Sequence, residues 1–286
     1  MWIFLAALYG VLKGVRDVIK KVALTKSSAI EVLFFYTLLS FIFVLPWFGD
    51  AMNIFDNKPL YLGLIAVKSF VIYIAWICSF KAIENLPIGF YGLMDMSRVV
   101  ITSVLSVTLL GESLTLYKVM GMVLVLDGLI MVNAAKNTVG MKGEVIRFKY
   151  VGYVLIACLM NSISEIFDKW FMLPETGVTT GQLQFWYLLF MTLMYLIHIL
   201  VKKIHIDPRN IYRNYWIIIL AVLFVIGDKA LFTANRTGTV IPLTLLKQGA
   251  VLITIVGGRI VFKEKNTVFK ILCAVVIICG IVIGIT

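Results

Sequence analysis

The sequence predicts an all-α membrane protein whose ten transmembrane helices form two inverted five-helix repeats. Three observations lead to this fold class: the apolar composition, ten long apolar stretches, and a resemblance between the two halves of the chain. Of the 286 residues, 61% are hydrophobic and only 14% are charged, whereas a soluble domain has about 25% charged residues. A soluble protein of this length has too little interior to bury that much apolar surface, so a bilayer has to cover the rest.

The ten stretches are long enough to cross the hydrocarbon core, which takes about 20 residues of helix. They are numbered 1 to 10 along the chain and cover residues 2–23, 29–48, 60–80, 87–110, 114–134, 150–173, 182–201, 215–235, 240–262 and 267–285. Glycine, proline and polar residues between them favour turns. The longest gap, 135–149, is polar and basic, and it divides the chain into a first repeat at 1–134 and a second at 150–286.

A constant displacement along the chain, which we call the repeat shift, brings the two halves into register. It superimposes position 112 on position 264. The polar and glycine matches at this shift are Glu112 with Glu264, Thr115 with Thr267, Lys118 with Lys270, and Gly128 with Gly280. Stretches 1 and 6 also each carry an acid and a lysine four residues apart on one helix face, Asp17 with Lys21 and Glu165 with Lys169. Because each unit has an odd number of helices, the second copy must insert upside down, as in many secondary transporters.

The basic residues are distributed as an inverted duplication requires. Alternate gaps, beginning with the gap between stretches 1 and 2, hold most of the Lys and Arg residues near helix ends. The opposite side has only Lys58, Lys118 and Arg236, and Lys169 can be assigned to either side. Cytoplasmic loops carry such an excess, so we expect a bacterial cell (inner) membrane protein with both termini outside. The basic residues in these gaps explain the net charge of +11. The charge therefore does not indicate nucleic-acid binding.

A Gly-Glu-Ser-Leu-Thr turn at 111–115 follows stretch 4, and Glu-x-x-Thr at 264–267 repeats it after stretch 9. With Lys20 and Lys21 closing stretch 1, this order of motifs resembles the EamA-like branch of the drug/metabolite transporter superfamily over the whole chain. The resemblance implies alternating access around a central cavity, lined mainly by helices 1, 3, 4, 6, 8 and 9. It does not fix the substrate. Family members usually have both termini in the cytoplasm, so the expected orientation departs from the family.

Ionisable residues inside the stretches are costly unless they are paired or hydrated, so they are the first candidates for a site. Most lie on stretches 1, 4, 6, 8 and 9, and we expect them to converge on a wet interior cavity. The predicted substrate-binding residues are Lys13, Arg16, Asp17, Tyr73, Trp76, Asp95, Arg98, Asn161, Glu165, Asp228, Lys229, Lys247 and Gln248.

Several of these residues have two interpretations. Lys13, Arg16 and Asp17 share one face of stretch 1 and could form a cavity wall opposite Asn161 and Glu165, or Asp17 could simply neutralise a neighbouring cation. Asp228 could carry a coupling proton or form a structural salt bridge. These alternatives stay open from sequence alone.

Asp95 and Lys247 occupy equivalent positions with opposite charges, so they could pair directly or bracket a zwitterion. Arg98, one turn beyond Asp95, could pair with it instead. Tyr73 and Trp76 are three residues apart and could stack on a substrate, although aromatic residues are also common at membrane interfaces.

The basic candidates, with Lys68 on stretch 3 added, outnumber the acidic ones, which favours an anionic or zwitterionic metabolite bearing a phosphate, carboxylate or nucleotide group. The alternatives are an amino-acid or organic-cation carrier and a flippase of a lipid-linked sugar. The sequence has no P-loop, HExxH or GxSxG motif, so we expect a gradient or exchange to drive transport, and no catalytic residue, cofactor or metal. Expected partners are the small-molecule substrate and membrane lipids, but no nucleic acid. Gly257-Gly258 on stretch 9, and Gly280 and Gly284 on stretch 10, could pack within the fold or against a second copy in a homodimer.

Overall fold

A computed structural model describes residues 1–57, 59–113, 115–117, 119–124, 127–128, 131, 148–264 and 267–285. Helices make up the regular structure of this part of the chain, which contains no strand. Within it, seven helical segments are long and apolar enough to cross a membrane, beginning with Ala29–Met52 and ending with Val240–Phe262. The chain is therefore an all-helical, multi-pass membrane protein. Part of stretch 5 and residues 135–147 of the gap lie outside the described residues.

The main helices are numbered in chain order. They are α1 (Trp2–Leu24), α2 (Ala29–Val44), α3 (Pro59–Asn85), α4 (Ile88–Asp95), α5 (Arg98–Leu110), α6 (Phe148–Phe171), α7 (Thr180–Lys202), α8 (Trp216–Thr237), α9 (Val240–Lys247), α10 (Ala250–Phe262) and α11 (Thr267–Ile285). Short helices at Leu45–Trp47, Phe48–Met52, Ile54–Asn57 and Asn210–Arg213 join some of them. At the start of α7, Thr179 and Gln182 form a capping box, in which each side chain accepts a hydrogen bond from the backbone N–H of the other residue.

Two predicted spans, stretches 4 and 9, are each interrupted in the middle. At the first break, Met96 N donates to Leu93 O at 3.2 Å and Ser97 N to Met94 O at 3.1 Å. At the second, Gln248 N donates to Leu245 O at 3.0 Å and Gly249 N to Leu246 O at 3.2 Å. These tighter i→i−3 bonds separate α4 from α5 and α9 from α10 at positions that the repeat shift makes equivalent. Each interruption places a charged residue, Asp95 or Lys247, at the inner end of a half-helix.

Hydrogen bonds between helix ends define the two ends of the bundle. Asn214 Nδ2, just before α8, donates to Ala23 O near the end of α1 at 2.9 Å, and Lys21 Nζ donates to Leu86 O just before α4. At the opposite end of α8, Lys169 Nζ from α6 donates to Gly238 O at 2.8 Å. Helix α1 therefore finishes at one end of the bundle, the Lys21 end, and α6 finishes at the other, the Lys169 end.

Helix α1 packs very closely against the second break. A Cβ atom placed on Gly14 would lie 2.8 Å from Ala250 O and 2.7 Å from Ile253 Cβ, and one on Gly10 would lie 2.9 Å from Leu246 O. Small residues at these positions let the backbones approach, as is common between membrane helices. This contact fixes the charged face of α1 relative to Lys247.

We expect Gly14→Ala to lower the free energy of unfolding by about 1–3 kcal/mol, because the added methyl group must push α1 away from the backbone of α10. The measurement is equilibrium unfolding in detergent micelles. Gly152→Ala in α6 is the matched control, since nothing lies within 4 Å of its Cβ position. Equal losses in both variants would contradict the importance of the contact.

Candidate functional site: a charged central cavity

A cavity of about 80 Å³ lies in the middle of the bundle and has room for several water molecules. Its walls come from both halves of the chain. Helix α1 contributes one face, α3 and α6 contribute most of the others, and α7 and α8 add Tyr187, Phe224 and Asp228. The cavity is small for a metabolite in this conformation.

The wall from α1 consists of Tyr9, Lys13, Arg16, Asp17 and Lys20. Their spacing of three or four residues places them on one side of the helix. Asp17 and Lys20 pair within this face at 2.8 Å. The remaining two cations, Lys13 and Arg16, are 7% and 4% exposed and form ion pairs with carboxylates of other helices.

Five buried residues form what we call the central charge network: Lys13, Asp95, Arg98, Glu165 and Lys247. Lys13 Nζ lies 2.6 Å from Asp95 Oδ2, and Arg98 Nη2 lies 3.1 Å from Asp95 Oδ1. Arg98 Nη1 also contacts Glu165 Oε1 at 3.3 Å, and Lys247 Nζ contacts the same oxygen at 3.0 Å. Three cations thus share two carboxylates, which leaves the network with one positive charge in excess.

Threonine hydroxyl groups complete the coordination of Glu165. Thr244 Oγ1 of α9 donates to Glu165 Oε2 at 3.0 Å, and Thr102 Oγ1 of α5 is 3.3 Å from the same atom. Glu165 therefore receives contacts from both interrupted spans. It is one of three carboxylates, with Asp168 and Asp228, through which the two halves of the chain meet at the cavity.

Two further ion pairs line the cavity. Arg16 Nη1 lies 3.6 Å from Asp228 Oδ1, and the Tyr187 hydroxyl group donates to the same carboxylate. Lys68, only 1% exposed, has its Nζ atom 2.9 Å from Asp168 Oδ1 and 4.5 Å from the centroid of the Tyr187 ring. Each of these pairs is neutral overall, so the excess charge belongs to the central charge network.

Aromatic rings surround Arg16. Its guanidinium carbon lies 4.9 Å from the Phe224 ring centroid and 5.4 Å from that of Tyr9, which is within the range of cation–π attraction. Among the described residues, Arg16 Nε and Nη1 have no hydrogen-bond acceptor, although both atoms are buried. A guanidinium group in this state retains donors for a carboxylate or phosphate ligand.

The structure brings most of the sequence-predicted residues to one place. Eight line the cavity: Lys13, Arg16, Asp17, Trp76, Arg98, Asn161, Glu165 and Asp228. Asp95, Lys247 and Gln248 lie directly behind this wall, where Gln248 Oε1 accepts from Lys13 Nζ at 3.4 Å. Asp95 and Lys247 do not pair with each other: Asp95 pairs with Lys13 and Arg98, and Lys247 pairs with Glu165.

Two predicted residues lie away from the cavity. Tyr73 hydrogen-bonds with His198 Nδ1 and packs against Tyr195, with ring centroids 5.0 Å apart, so it belongs to the contact between α3 and α7. Lys229 is exposed on the outer surface of α8, with its Nζ atom 4.0 Å from the Trp47 ring centroid. One turn of helix separates Tyr73 from Trp76, and the small rotation between positions i and i+3 is enough to place only Trp76 at the cavity.

Other lining residues were not predicted as site residues. Tyr9 and Lys20 continue the α1 face at the same helical spacing, so that pattern could have found them. Lys68 and Asp168 are ionisable residues inside stretches, but only the structure brings them together. Tyr36, Tyr187 and Phe224 are aromatic residues among many, and nothing in their spacing distinguishes them. Among the described residues, no group of three or more His, Cys, Asp or Glu side chains could hold a metal ion.

Long apolar helices surround a charged interior. The class of protein is therefore a multi-pass membrane protein with a polar cavity between its two halves. The sequence model of the EamA-like transporter family matches residues 1–134. Residues 1–134 are thus similar to this family, and over this part of the chain the resemblance to the drug/metabolite transporter superfamily stated from the sequence is confirmed.

Similarity to solved structures extends over the whole fold. Among them, 28 chains match. One, described only as the crystal structure of a protein, has a TM-score of 0.66 and 15% sequence identity, and the match covers 98% of this chain and 96% of that chain. At this identity the similarity concerns the fold alone. No curated protein matches the chain.

Proposed function

We propose that this protein is a secondary active transporter that carries a small anionic or zwitterionic metabolite by alternating access. The metabolite bears a phosphate, carboxylate or nucleotide group. The observation that carries the proposal is the excess positive charge of the central charge network, buried beside a polar cavity. An unbalanced charge at this depth is costly, and an anionic ligand would balance it when bound.

The proposal includes ten transmembrane helices in two inverted five-helix repeats, at 1–134 and 150–286. Three structural correspondences support this arrangement. The two helix breaks have the same hydrogen bonds once the repeat shift is applied. Gly111 and Lys263, which the repeat shift also superimposes, both end their helices with positive φ, at 67° and 53°. Finally, α1 and α6 finish at opposite ends of the bundle, as helices of two oppositely inserted units must.

The orientation follows from the basic gaps. The basic gaps that the structure describes, those after α1, α3, α7 and α10, lie at the Lys21 end of the bundle, so by the excess of Lys and Arg in cytoplasmic loops this end faces the cytoplasm and both termini lie outside. We place the protein in the bacterial cell (inner) membrane. With no ATP-binding motif in the sequence, an ion gradient or solute exchange drives the transport cycle, and we propose no enzymatic activity.

The geometry favours anions over cations as ligands. Each carboxylate at the cavity (Asp17, Asp228, Asp168 and the two in the central charge network) already contacts at least one cation. Arg16 pairs with Asp228 through Nη1 at 3.6 Å, but its buried Nε–H group has no acceptor among the described residues. A ligand ammonium would have to displace an existing ion pair, whereas a carboxylate or phosphate would add hydrogen bonds.

A ligand screen, followed by transport assays on the solutes that bind, tests the proposal. Purified protein is heated in detergent with carboxylates, phosphate esters, zwitterionic amino acids and organic cations, and solutes that raise the melting temperature are then offered to proteoliposomes with an imposed ion gradient. We expect stabilisation and saturable uptake only for solutes with an anionic group. Binding and uptake restricted to organic cations would overturn the anionic assignment, and stabilisation by lipid-linked sugars alone would favour the flippase.

A further inference from the structure

The first turns of α4 and α9 are each held by a glutamate from the opposite half of the chain. Glu264, after α10, accepts hydrogen bonds from Ile88 N and from Gly89 N, the latter at 3.1 Å. Glu112, after α5, accepts from Val240 N at 2.7 Å and from Ile241 N at 3.4 Å. The first N–H groups of a helix lack intrahelical acceptors, and a carboxylate there also interacts favourably with the helix dipole.

The two glutamates accept hydrogen bonds from backbone groups at equivalent positions of the two repeats. The repeat shift that relates Glu112 to Glu264 also turns positions 88 and 89 into positions 240 and 241. A lysine accompanies each glutamate: Lys21 donates to Leu86 O, and Lys169 donates to Gly238 O at 2.8 Å. These two carbonyl groups are again related by the repeat shift. We call these groups the Glu264 cluster and the Glu112 cluster.

The clusters lie at opposite ends of the bundle, because the first contains Lys21 and the second contains Lys169. Each joins the outer end of a half-helix, α4 or α9, to the rest of the protein. Each half-helix has eight residues and is about 12 Å long. Its inner end is the helix break that carries Asp95 or Lys247. Each half-helix also packs against neighbouring helices, α4 against α10 and α9 against α1, and the cluster is the polar contact that holds its outer end.

We propose that the Glu264 and Glu112 clusters are the two gates of the transporter, and that opening either one exposes the cavity on its own side of the membrane. This inference rests on the proposed alternating access. In the structure both clusters are closed, which fits the small cavity. The N–H groups at each half-helix must keep acceptors at membrane depth. Once the cavity is open to water on one side, water molecules can supply these acceptors. The cluster on that side can then separate from its half-helix.

The test measures from which side the cavity can be reached. The four native cysteines are replaced by alanine, and Asn161→Cys places one thiol on the cavity wall. Vesicles of both orientations are treated with a membrane-impermeant maleimide. Glu264→Ala and Glu112→Ala are compared in this background, and each is the matched control of the other because they remove equivalent backbone contacts at opposite ends. Glu264→Ala also removes ion pairs with Lys270 at 3.1 Å and Lys21 at 3.7 Å.

We expect Glu264→Ala to increase the labelling rate of the thiol about tenfold from the Lys21 end only, and Glu112→Ala to do the same from the Lys169 end only. A tenfold change corresponds to about 1.4 kcal/mol, close to the lower limit of about 1.5 kcal/mol for one hydrogen bond to a charged group. Equal increases from both sides, or no change in either variant, would overturn the gate assignment.

Glu264→Gln and Glu112→Gln provide a second pair in case the alanine variants fail to fold. Glutamine keeps the side-chain volume and one acceptor oxygen, so we expect the same side preference with a smaller increase. The labelling assay needs no substrate. Side-specific labelling in a protein that moves no anion would therefore support the gates and refute the substrate class, whereas anion uptake without side-specific labelling would refute the gates alone.

Discussion

Replacing Asp95 with alanine is expected to destabilise the protein by about 3–5 kcal/mol, the cost of removing one partner from a buried ion pair. Asp95 is 2% exposed and contacts both Lys13 and Arg98. Without it, three buried cations share the single carboxylate of Glu165. The measurement is equilibrium unfolding in detergent micelles, with the free energy of unfolding compared between wild type and variant.

Two controls make this prediction specific. Asp207→Ala removes a carboxylate that lies 3.9 Å from Arg213 at the surface, and a pair of this kind contributes only about 0–1 kcal/mol. The double variant Lys13→Met with Asp95→Leu returns the network to one excess positive charge, so it is expected to recover at least half of the lost stability. A stable Asp95→Ala single variant would contradict the existence of the network.

Replacing Lys247 with methionine is expected to leave the protein folded and to lower kcat/KM for anion uptake about hundredfold. The remaining four charges form two balanced pairs, Lys13 with Asp95 and Arg98 with Glu165, so no buried ion loses its partner. The excess positive charge disappears. A unit charge about 6 Å from an anion, at an effective dielectric constant of about 20, contributes about 3 kcal/mol, which corresponds to about two powers of ten in affinity.

Lys229→Met is the matched control for this experiment. It removes the same charge from a helix of the same bundle, but Lys229 lies on the outer surface against Trp47. Uptake by this variant is expected to stay within about twofold of wild type, the scale of a surface substitution. Similar transport by the two lysine variants would remove the central charge network from the substrate site.

Hydropathy predicted the helical membrane class, because a run of apolar residues long enough to cross a bilayer has few other stable environments. The interruptions within stretches 4 and 9 were not predicted. No proline marks either break, and the local sequences Met96-Ser97 and Gln248-Gly249 are compatible with a continuous helix. The second break becomes understandable only when α1 is seen to pack against it at Gly10 and Gly14.

The charged residues of the site were largely found because charge at membrane depth is rare and costly. Their pairing was not predictable in the same way. Sequence equivalence suggested that Asp95 could pair with Lys247, but the structure connects them through Arg98 and Glu165. Which cation reaches which carboxylate depends on helix rotation and on close contacts such as Gly14 with Ala250, and neither is encoded in local spacing.

The opposite charges of Asp95 and Lys247 have a consequence for the transport cycle. The two half-helices match in backbone, but a solute that leaves beside α4 passes a carboxylate, whereas one that leaves beside α9 passes an ammonium group. The inward-facing and outward-facing forms therefore differ in energy even though the scaffold repeats itself. Under the proposed alternating access, half-saturation concentrations measured from the two sides of the membrane should accordingly be unequal, while the direction of net flow still follows the driving gradient.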